Sequence, residues 1–75
     1  MFLLKYTKRL YDIRTDKDLK QEDIAKILNT TKQGYGRYEN GQRKLPIDSL
    51  IELCKYYNLS ADYILGLIDE PKKLK

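Results

Sequence analysis

The sequence predicts an all-α domain built from five short helices. Apolar residues recur three and four positions apart, whereas the alternation of apolar and polar residues that is typical of a half-buried strand is absent. Residues that cap or stop helices divide this pattern into separate segments. With 75 residues and a net charge of +4, the chain is long enough for one domain with a small core.

The first two helices are predicted at residues 5–16 and 21–28. Lys20 has no side-chain oxygen to cap the second helix, so the start of that helix is weakly marked, and Asn29 with Thr30 ends it. The inward-facing residues are Tyr6, Leu10 and Ile13 in the first helix and Ile24, Ala25 and Leu28 in the second.

The third helix is predicted at residues 32–40, after a turn of about three residues that makes the second and third helices cross steeply. Thr31 can cap its first turn, and Gly41 can take the left-handed conformation that ends it. Gly34 and Gly36 lie inside this helix, and each costs roughly 1 kcal/mol relative to alanine. Contacts with the rest of the domain must therefore hold the helix in place.

A fourth helix is predicted at residues 47–57 and a fifth at residues 61–65, with Ser60 as the cap of the fifth. The buried stripe of the fourth helix contains Leu50, Leu53, Cys54 and Tyr57. We therefore divide the chain into a domain at residues 1–66 and a short basic tail at residues 67–75, which is expected to be frayed.

Charge is distributed unevenly along the chain. Residues 1–47 carry a net charge of +5, residues 48–70 carry −4, and the last five residues carry +3. A polyanion would be attracted to one end of the domain and repelled from the other. Charge counts alone leave open the alternative that these are solvated surface charges without a ligand.

Several classes of protein are disfavoured by composition. The chain has one cysteine, Cys54, and no histidine, so neither an internal disulfide nor a zinc site is expected. Without histidine no catalytic triad can be assembled, and we expect no enzyme activity, no cofactor and no small-molecule ligand. The apolar run at residues 1–4 is too short for a signal peptide or a membrane span, so we expect a cytoplasmic protein with no membrane partner.

Several motifs of this chain coincide with those of one family. Residues 19–25 read Leu-Lys-Gln-Glu-Asp-Ile-Ala, residues 38–41 read Tyr-Glu-Asn-Gly, and residues 59–66 read Leu-Ser-Ala-Asp-Tyr-Ile-Leu-Gly. With Pro46 before the fourth helix, residues 5–66 resemble the Cro and lambda-repressor type of helix-turn-helix domain, the xenobiotic-response-element family. The resemblance implies a five-helix lambda-repressor-like fold. It also implies a sequence-specific, double-stranded-DNA-binding transcriptional regulator of repressor type, bacterial or phage, whose third helix enters the major groove.

Candidate base-reading residues lie on the third helix. Gln33 offers the paired donor and acceptor that suits adenine, Arg37 has the fork that suits guanine, and Lys32 can reach guanine or a phosphate. The resemblance places base readers at these positions and also at Gly34 and Gly36. Since these two glycines have no side chain to read a base, we hypothesise that they let the helix lie closer to the groove.

Candidate phosphate-binding residues lie around the third helix. Gln21 combines a side-chain amide with the start of the second helix. The full set of candidates is Gln21, Asn40, Gln42, Arg43 and Lys44, with Lys8, Arg9 and Lys20 as weaker additions.

The resemblance assigns a different role to Arg14 and Glu39. It implies a partly buried ion pair between the first and third helices at these positions, so that neither residue contacts DNA. Tyr35 and Tyr38 stand three residues apart and are expected to pack on the core. The ion pair and the two rings are our candidates for what holds the glycine-containing helix in place.

We expect the protein to bind an operator as a homodimer, on two half-sites about one helical turn apart. One predicted dimer surface contains Tyr56, Tyr57, Leu59, Tyr63, Leu67 and Ile68, and a second contains Phe2 and Leu3. Two alternatives remain open. The same fold could serve an antitoxin or a protein-interaction adaptor, and binding of RNA or single strands would require exposed aromatic residues.

Overall fold

The computed structural model describes residues 5–75. Its five helices are α1 (Lys5–Asp16), α2 (Gln21–Ile27), α3 (Lys32–Glu39), α4 (Ile47–Tyr57) and α5 (Ala61–Ile64). Within residues 5–75 the only β pairing is an isolated bridge between Leu59 and Lys73. The predicted all-α, five-helix fold is therefore confirmed.

Three helices end one residue earlier than predicted, at Ile27, Glu39 and Ile64. After α2, the backbone N–H of Leu28 still makes a 3.0 Å hydrogen bond to the preceding turn. Asn29 then takes a left-handed conformation with φ of 57°, which an asparagine tolerates better than most residues. The chain therefore turns toward α3 at Asn29.

Side-chain caps begin two of the helices as predicted. The Thr31 hydroxyl accepts a hydrogen bond of 3.0 Å from the backbone N–H of Gly34, and the Ser60 hydroxyl accepts one of 3.3 Å from Tyr63. At the start of α2, where Lys20 has no capping oxygen, the Asp23 carboxylate accepts the Lys20 backbone N–H at 2.8 Å. This contact is half of a capping box and compensates in part for the missing cap.

The core lies where all five helices meet. Its buried apolar residues are Leu10, Ile13, Ile24, Ala25, Tyr35, Leu53, Cys54, Tyr57 and Ile64. Burial raises the pKa of the Cys54 thiol, as expected for a cysteine that fills core space. The assignment of Tyr57 to a dimer surface is wrong, because its side chain faces the core and only 6% of the residue is exposed. Phe2 and Leu3, the second predicted dimer surface, lie outside the described residues.

The segment at residues 67–75 packs back against the domain. The backbone N–H of Ser60 donates to the Lys72 carbonyl at 2.7 Å, and the N–H of Leu74 donates to the Asn58 carbonyl at 3.3 Å. These bonds flank the bridge between residues 59 and 73. The prediction of a frayed tail is therefore wrong for the backbone, although the side chains of residues 71–75 are exposed.

Arg9 fixes the start of this segment to α1. Its Nη1 donates to the carbonyls of Tyr63 at 2.8 Å and Ile68 at 3.1 Å, and its guanidinium carbon lies 4.1 Å from the centre of the Tyr63 ring. Its Nη2 lies 3.7 Å from the Asp69 carboxylate. Because this guanidinium is already engaged within the domain, these contacts disfavour Arg9 as a phosphate-contact candidate.

Candidate nucleic-acid interface

The position of α3 is set by the side that it buries. Tyr35 is fully buried, and its ring meets that of Tyr38 edge to face, with centroids 6.5 Å apart. On α2, Ile24 and Ala25 are buried against the same core. The backbone N–H of Thr30 donates to the Ala25 carbonyl at 2.9 Å, which tightens the turn between the helices. Since one side of α3 is anchored in this way, the opposite side faces solvent.

The outward side of α3 carries Lys32, Gln33 and Arg37, all of them exposed. They border a shallow depression of about 450 Å³, whose complete lining is Gln21, Lys32, Gln33, Gly36, Arg37, Asn40 and Gln42. Seven of the ten residues predicted to contact DNA thus lie together. Arg43 and Lys44 line a neighbouring hollow instead, and Gly34 lines neither depression.

The loop after α3 folds back on the end of that helix. The backbone N–H groups of Gln42 and Arg43 both donate to the Arg37 carbonyl, at 2.9 and 3.1 Å. Gly41 between them and the helix has φ of 83°, a conformation that favours glycine. The Asn40 side-chain oxygen accepts the Gln42 N–H at 3.1 Å, so the Asn40 amide N–H groups remain available as donors. The loop therefore holds Asn40 and its basic residues beside α3.

The basic side chains of this surface form no ion pair with another residue of the segment 5–75. The ion pairs among the described residues are Lys8–Asp12, Arg9–Asp69 and Arg14–Glu39. None of these pairs involves Lys32, Arg37, Arg43 or Lys44, and all four of these residues are exposed. The surface formed by α3 and its following loop therefore has a net positive charge.

Arg14 and Glu39 form an ion pair beneath this surface. Arg14 Nε and Nη2 donate to the two Glu39 carboxylate oxygens at 2.8 Å each, and Nη1 donates to the Leu19 carbonyl at 2.7 Å. Burial disfavours the charged form of Glu39, but the hydrogen bonds from Arg14 and its neighbours outweigh it, so the pKa of this carboxyl is lowered. The hydrogen bond to Glu39 in turn raises the pKa of Arg14. Neither group is available to a ligand.

Gln21 connects this buried pair with the exposed surface. Its Nε2 donates to Glu39 Oε1 at 3.2 Å, while the residue also lines the depression beside α3. The nitrogen of the carboxamide must face Glu39, because an ionised carboxylate can only accept hydrogen bonds. Sequence reasoning placed Gln21 on this surface but missed its bond to Glu39, since the two residues belong to different helices.

The two glycines of α3 meet different neighbours. A Cβ at Gly36 would lie 3.3 Å from Gln21 Oε1. A Cβ at Gly34 would lie 2.6 Å from the Thr30 hydroxyl and 3.2 Å from the Thr31 hydroxyl. Each glycine thus leaves room for a side chain of this same domain.

The described part of the chain has neither a metal-binding cluster nor a membrane-spanning helix. Residues 5–75 contain no cluster of three or more histidine, cysteine or acidic side chains that could hold a metal ion. None of their helices combines the length and the apolar character needed to cross a membrane.

A family model described as helix-turn-helix matches residues 10–64, which span all of α2, α3, α4 and α5 and most of α1. The chain belongs to the Cro/C1-type helix-turn-helix family. In this chain the helix-turn-helix consists of α2, the tight turn and α3. The positive surface lies on α3 and the loop that follows it.

Three similar proteins show how far the similarity extends. The uncharacterized HTH-type transcriptional regulator YobD of Bacillus subtilis is 41% identical over 66 residues, which cover 88% of this chain and 59% of YobD. RstR, a transcriptional repressor of the cryptic phage CTXphi in Vibrio cholerae, is 28% identical over 54 residues, which cover 72% of this chain and 49% of RstR. The crystal structure of a transcriptional regulator from Listeria innocua matches with a TM-score of 0.80 and 31% identity, over 87% of this chain and 61% of that chain. This helix-turn-helix chain thus spans between 49% and 61% of the length of these relatives.

Proposed function

We propose that this chain is a sequence-specific, double-stranded-DNA-binding transcriptional regulator of repressor type, in which α3 enters the major groove. The observation that carries this proposal is the division of α3 into two faces. Tyr35 and Glu39 hold one face in the domain, while the other presents exposed cationic and amide side chains without ion-pair partners among residues 5–75. The major groove admits an α-helix, and side chains near the N-terminus of such a helix reach base edges.

Base reading is assigned to the outward side chains of α3. Arg37 suits guanine O6 and N7, Gln33 suits adenine N6 and N7, and Lys32 suits guanine or a phosphate. Their exposure around one depression supports this assignment, because a single helix face can then meet consecutive base pairs. At Gly34 and Gly36 we propose close approach of the helix backbone rather than direct hydrogen bonding to a base.

Phosphate contacts are assigned to residues that border α3. Gln21, Asn40 and Gln42 line the same depression as the base readers, and Arg43 with Lys44 extends the positive charge along the loop. Contacts of this kind fix the position of the protein on the duplex and do not read its sequence.

Repression would follow from occupation of an operator. The name of RstR, a transcriptional repressor, supports the repressor assignment. We also propose that the protein binds as a homodimer to two half-sites separated by about one helical turn. Of the predicted dimer surface, Tyr56 and Leu67 are 48% and 71% exposed, which is consistent with a contact surface near the C-terminal end.

Selection of bound duplexes from a random DNA pool, at a stated salt concentration, tests the proposal. We expect enrichment of one motif, with half-sites of two-fold symmetry. Lys55→Ala is the matched control, because Lys55 is an exposed cation on α4 in the acidic half of the sequence, and this variant should select the same motif. Equal binding of all duplexes by the unmodified chain would refute sequence-specific recognition.

A further inference from the structure

Gly36 has no side chain on the surface of α3, and the Gln21 carboxamide lies in contact distance of the position that a Cβ would take. A Cβ at position 36 would lie 3.3 Å from Gln21 Oε1, 3.8 Å from Cδ and 3.9 Å from Nε2. All three contacts are with one flat group, so the carboxamide lies across the helix at this residue. We propose that Gly36 is a positioning residue, which allows Glu39 to hold the Gln21 carboxamide where it can bind a DNA phosphate.

The distances explain why a single methyl group would matter. A contact of 3.3 Å to a Cβ is tighter than most, so the carboxamide would have to move by a few tenths of an ångström. The hydrogen bond from Gln21 Nε2 to Glu39 Oε1 is already 3.2 Å long, at the upper end of the usual range. Moving the carboxamide away from α3 lengthens this bond further, so Glu39 holds the side chain less firmly.

The bond to Glu39 also determines which atoms of Gln21 face outward. Arg14 fixes the Glu39 carboxylate with two hydrogen bonds of 2.8 Å, so the acceptor itself cannot move with Gln21. One N–H of Gln21 is used by Glu39, and the second remains as a donor for an anionic oxygen. A donor held in this way loses less conformational entropy on binding than a freely rotating glutamine.

This role differs from close approach of the α3 backbone to the groove, and Gln21 distinguishes the two. If Gly36 serves only close approach, Gly36→Ala should weaken binding to the same extent whether or not position 21 carries a glutamine. If Gly36 positions Gln21, the effect of Gly36→Ala should disappear when Gln21 is replaced.

The inference rests on the proposed DNA-binding function and is tested by a double-mutant cycle. Dissociation constants for the selected operator are measured, at fixed salt, for the unmodified chain, Gly36→Ala, Gln21→Ala and the double variant. Gln21→Ala should weaken binding by about tenfold, and Gly36→Ala by about threefold. In the Gln21→Ala background, Gly36→Ala should change the dissociation constant by less than about 1.5-fold. The selected motif should stay the same in all four proteins, because Gln21 contacts no base.

Lys55→Ala is the control, because Lys55 is an exposed cation on α4 outside the proposed DNA surface, and its affinity should stay within about twofold of the unmodified chain. Thermal unfolding of each variant tests for loss of the fold, which Gly36→Ala should not cause, because alanine is the better helix former. Equal weakening by Gly36→Ala in both backgrounds, or no weakening at all, would overturn the positioning role while leaving DNA binding intact. If the unmodified chain binds no duplex, the proposed function fails and the positioning role fails with it.

Discussion

Arg14 on α1 and Glu39 on α3 are joined by two hydrogen bonds of 2.8 Å, with side chains that are only 11% and 4% exposed. Removing one partner leaves the other charge buried and uncompensated. We therefore expect Arg14→Met to lower the free energy of unfolding by about 3 kcal/mol, measured by urea denaturation. Lys8→Ala, which breaks an exposed pair with Asp12, is the control and should cost less than about 1 kcal/mol. Equal losses in the two variants would contradict this prediction.

The same pair makes stability depend on pH. The pKa of Glu39 is lowered in the folded state, because its hydrogen bonds outweigh burial, so the unfolded chain binds a proton more readily. The contribution of Glu39 is present above about pH 4.3, the ordinary value for glutamate, and is lost as the pH falls through the lower folded pKa. In Arg14→Met the sign should reverse, because burial, the largest influence on the pKa of Glu39, then outweighs the remaining hydrogen bond from Gln21. Urea denaturation at pH 7 and pH 3 would show this reversal: the difference in free energy of unfolding between the unmodified chain and Arg14→Met should be smaller at pH 3 than at pH 7.

Two arginines near α3 should affect DNA binding differently. Arg37→Ala should relax the preference at one base pair by about 1 to 3 kcal/mol, because the guanidinium matches the edge of guanine. Arg43→Ala should lower the affinity for all duplexes alike and reduce the slope of log K against log salt by about 1. Competition titrations at several salt concentrations separate the two effects. A uniform loss of affinity in Arg37→Ala would contradict its role as a base reader.

Arg9 should determine whether the C-terminal segment stays packed. Arg9→Ala removes two hydrogen bonds to backbone carbonyls and the contact with the Tyr63 ring, and should cost about 2 kcal/mol. The backbone N–H of Ser60, bonded to Lys72, should then exchange with solvent faster. Arg9→Lys keeps the charge but lacks the planar guanidinium that lies over the Tyr63 ring and the second nitrogen near Asp69, so we expect an intermediate effect. Unchanged exchange at Ser60 would argue against this role for Arg9.

Two tyrosines should respond in opposite ways to removal of the hydroxyl group. The Tyr57 hydroxyl is buried without a hydrogen-bond partner among the described residues, and burial raises its pKa. Tyr57→Phe should therefore leave stability unchanged or raise it by up to about 1 kcal/mol. The Tyr6 hydroxyl accepts the Leu45 backbone N–H at 3.3 Å, so Tyr6→Phe should cost about 0.5 to 1.5 kcal/mol. Urea denaturation of both variants tests the pair, and a larger loss in Tyr57→Phe would contradict it.

Features that depend on near neighbours in the chain could be predicted from the sequence. The caps at Thr31 and Ser60 act within three residues, and the spacing of Leu10 and Ile13 or of Leu53 and Tyr57 marks buried stripes without knowledge of what covers them. The exposure of Arg37 follows from the same periodicity, because it lies opposite the anchored ring of Tyr35 on α3.

Features that depend on distant pairs could not be predicted in the same way. The bond between Gln21 and Glu39 joins residues 18 positions apart, and Arg9 reaches carbonyls 54 and 59 positions away. The composition of residues 67–75 predicted a solvated tail. In the structure, backbone hydrogen bonds to residues 58 and 60 hold this segment against the domain.

The sequence by itself determined the five helices, the buried stripes and the basic character of the surface around α3, because these depend on helical periodicity and on charge. Only the tertiary structure decided which neighbour each glycine of α3 accommodates. Gly34 and Gly36 are equivalent as helix breakers, and the difference between them comes from the side chain that approaches each one. At Gly36 that side chain is Gln21, which extends from the start of α2.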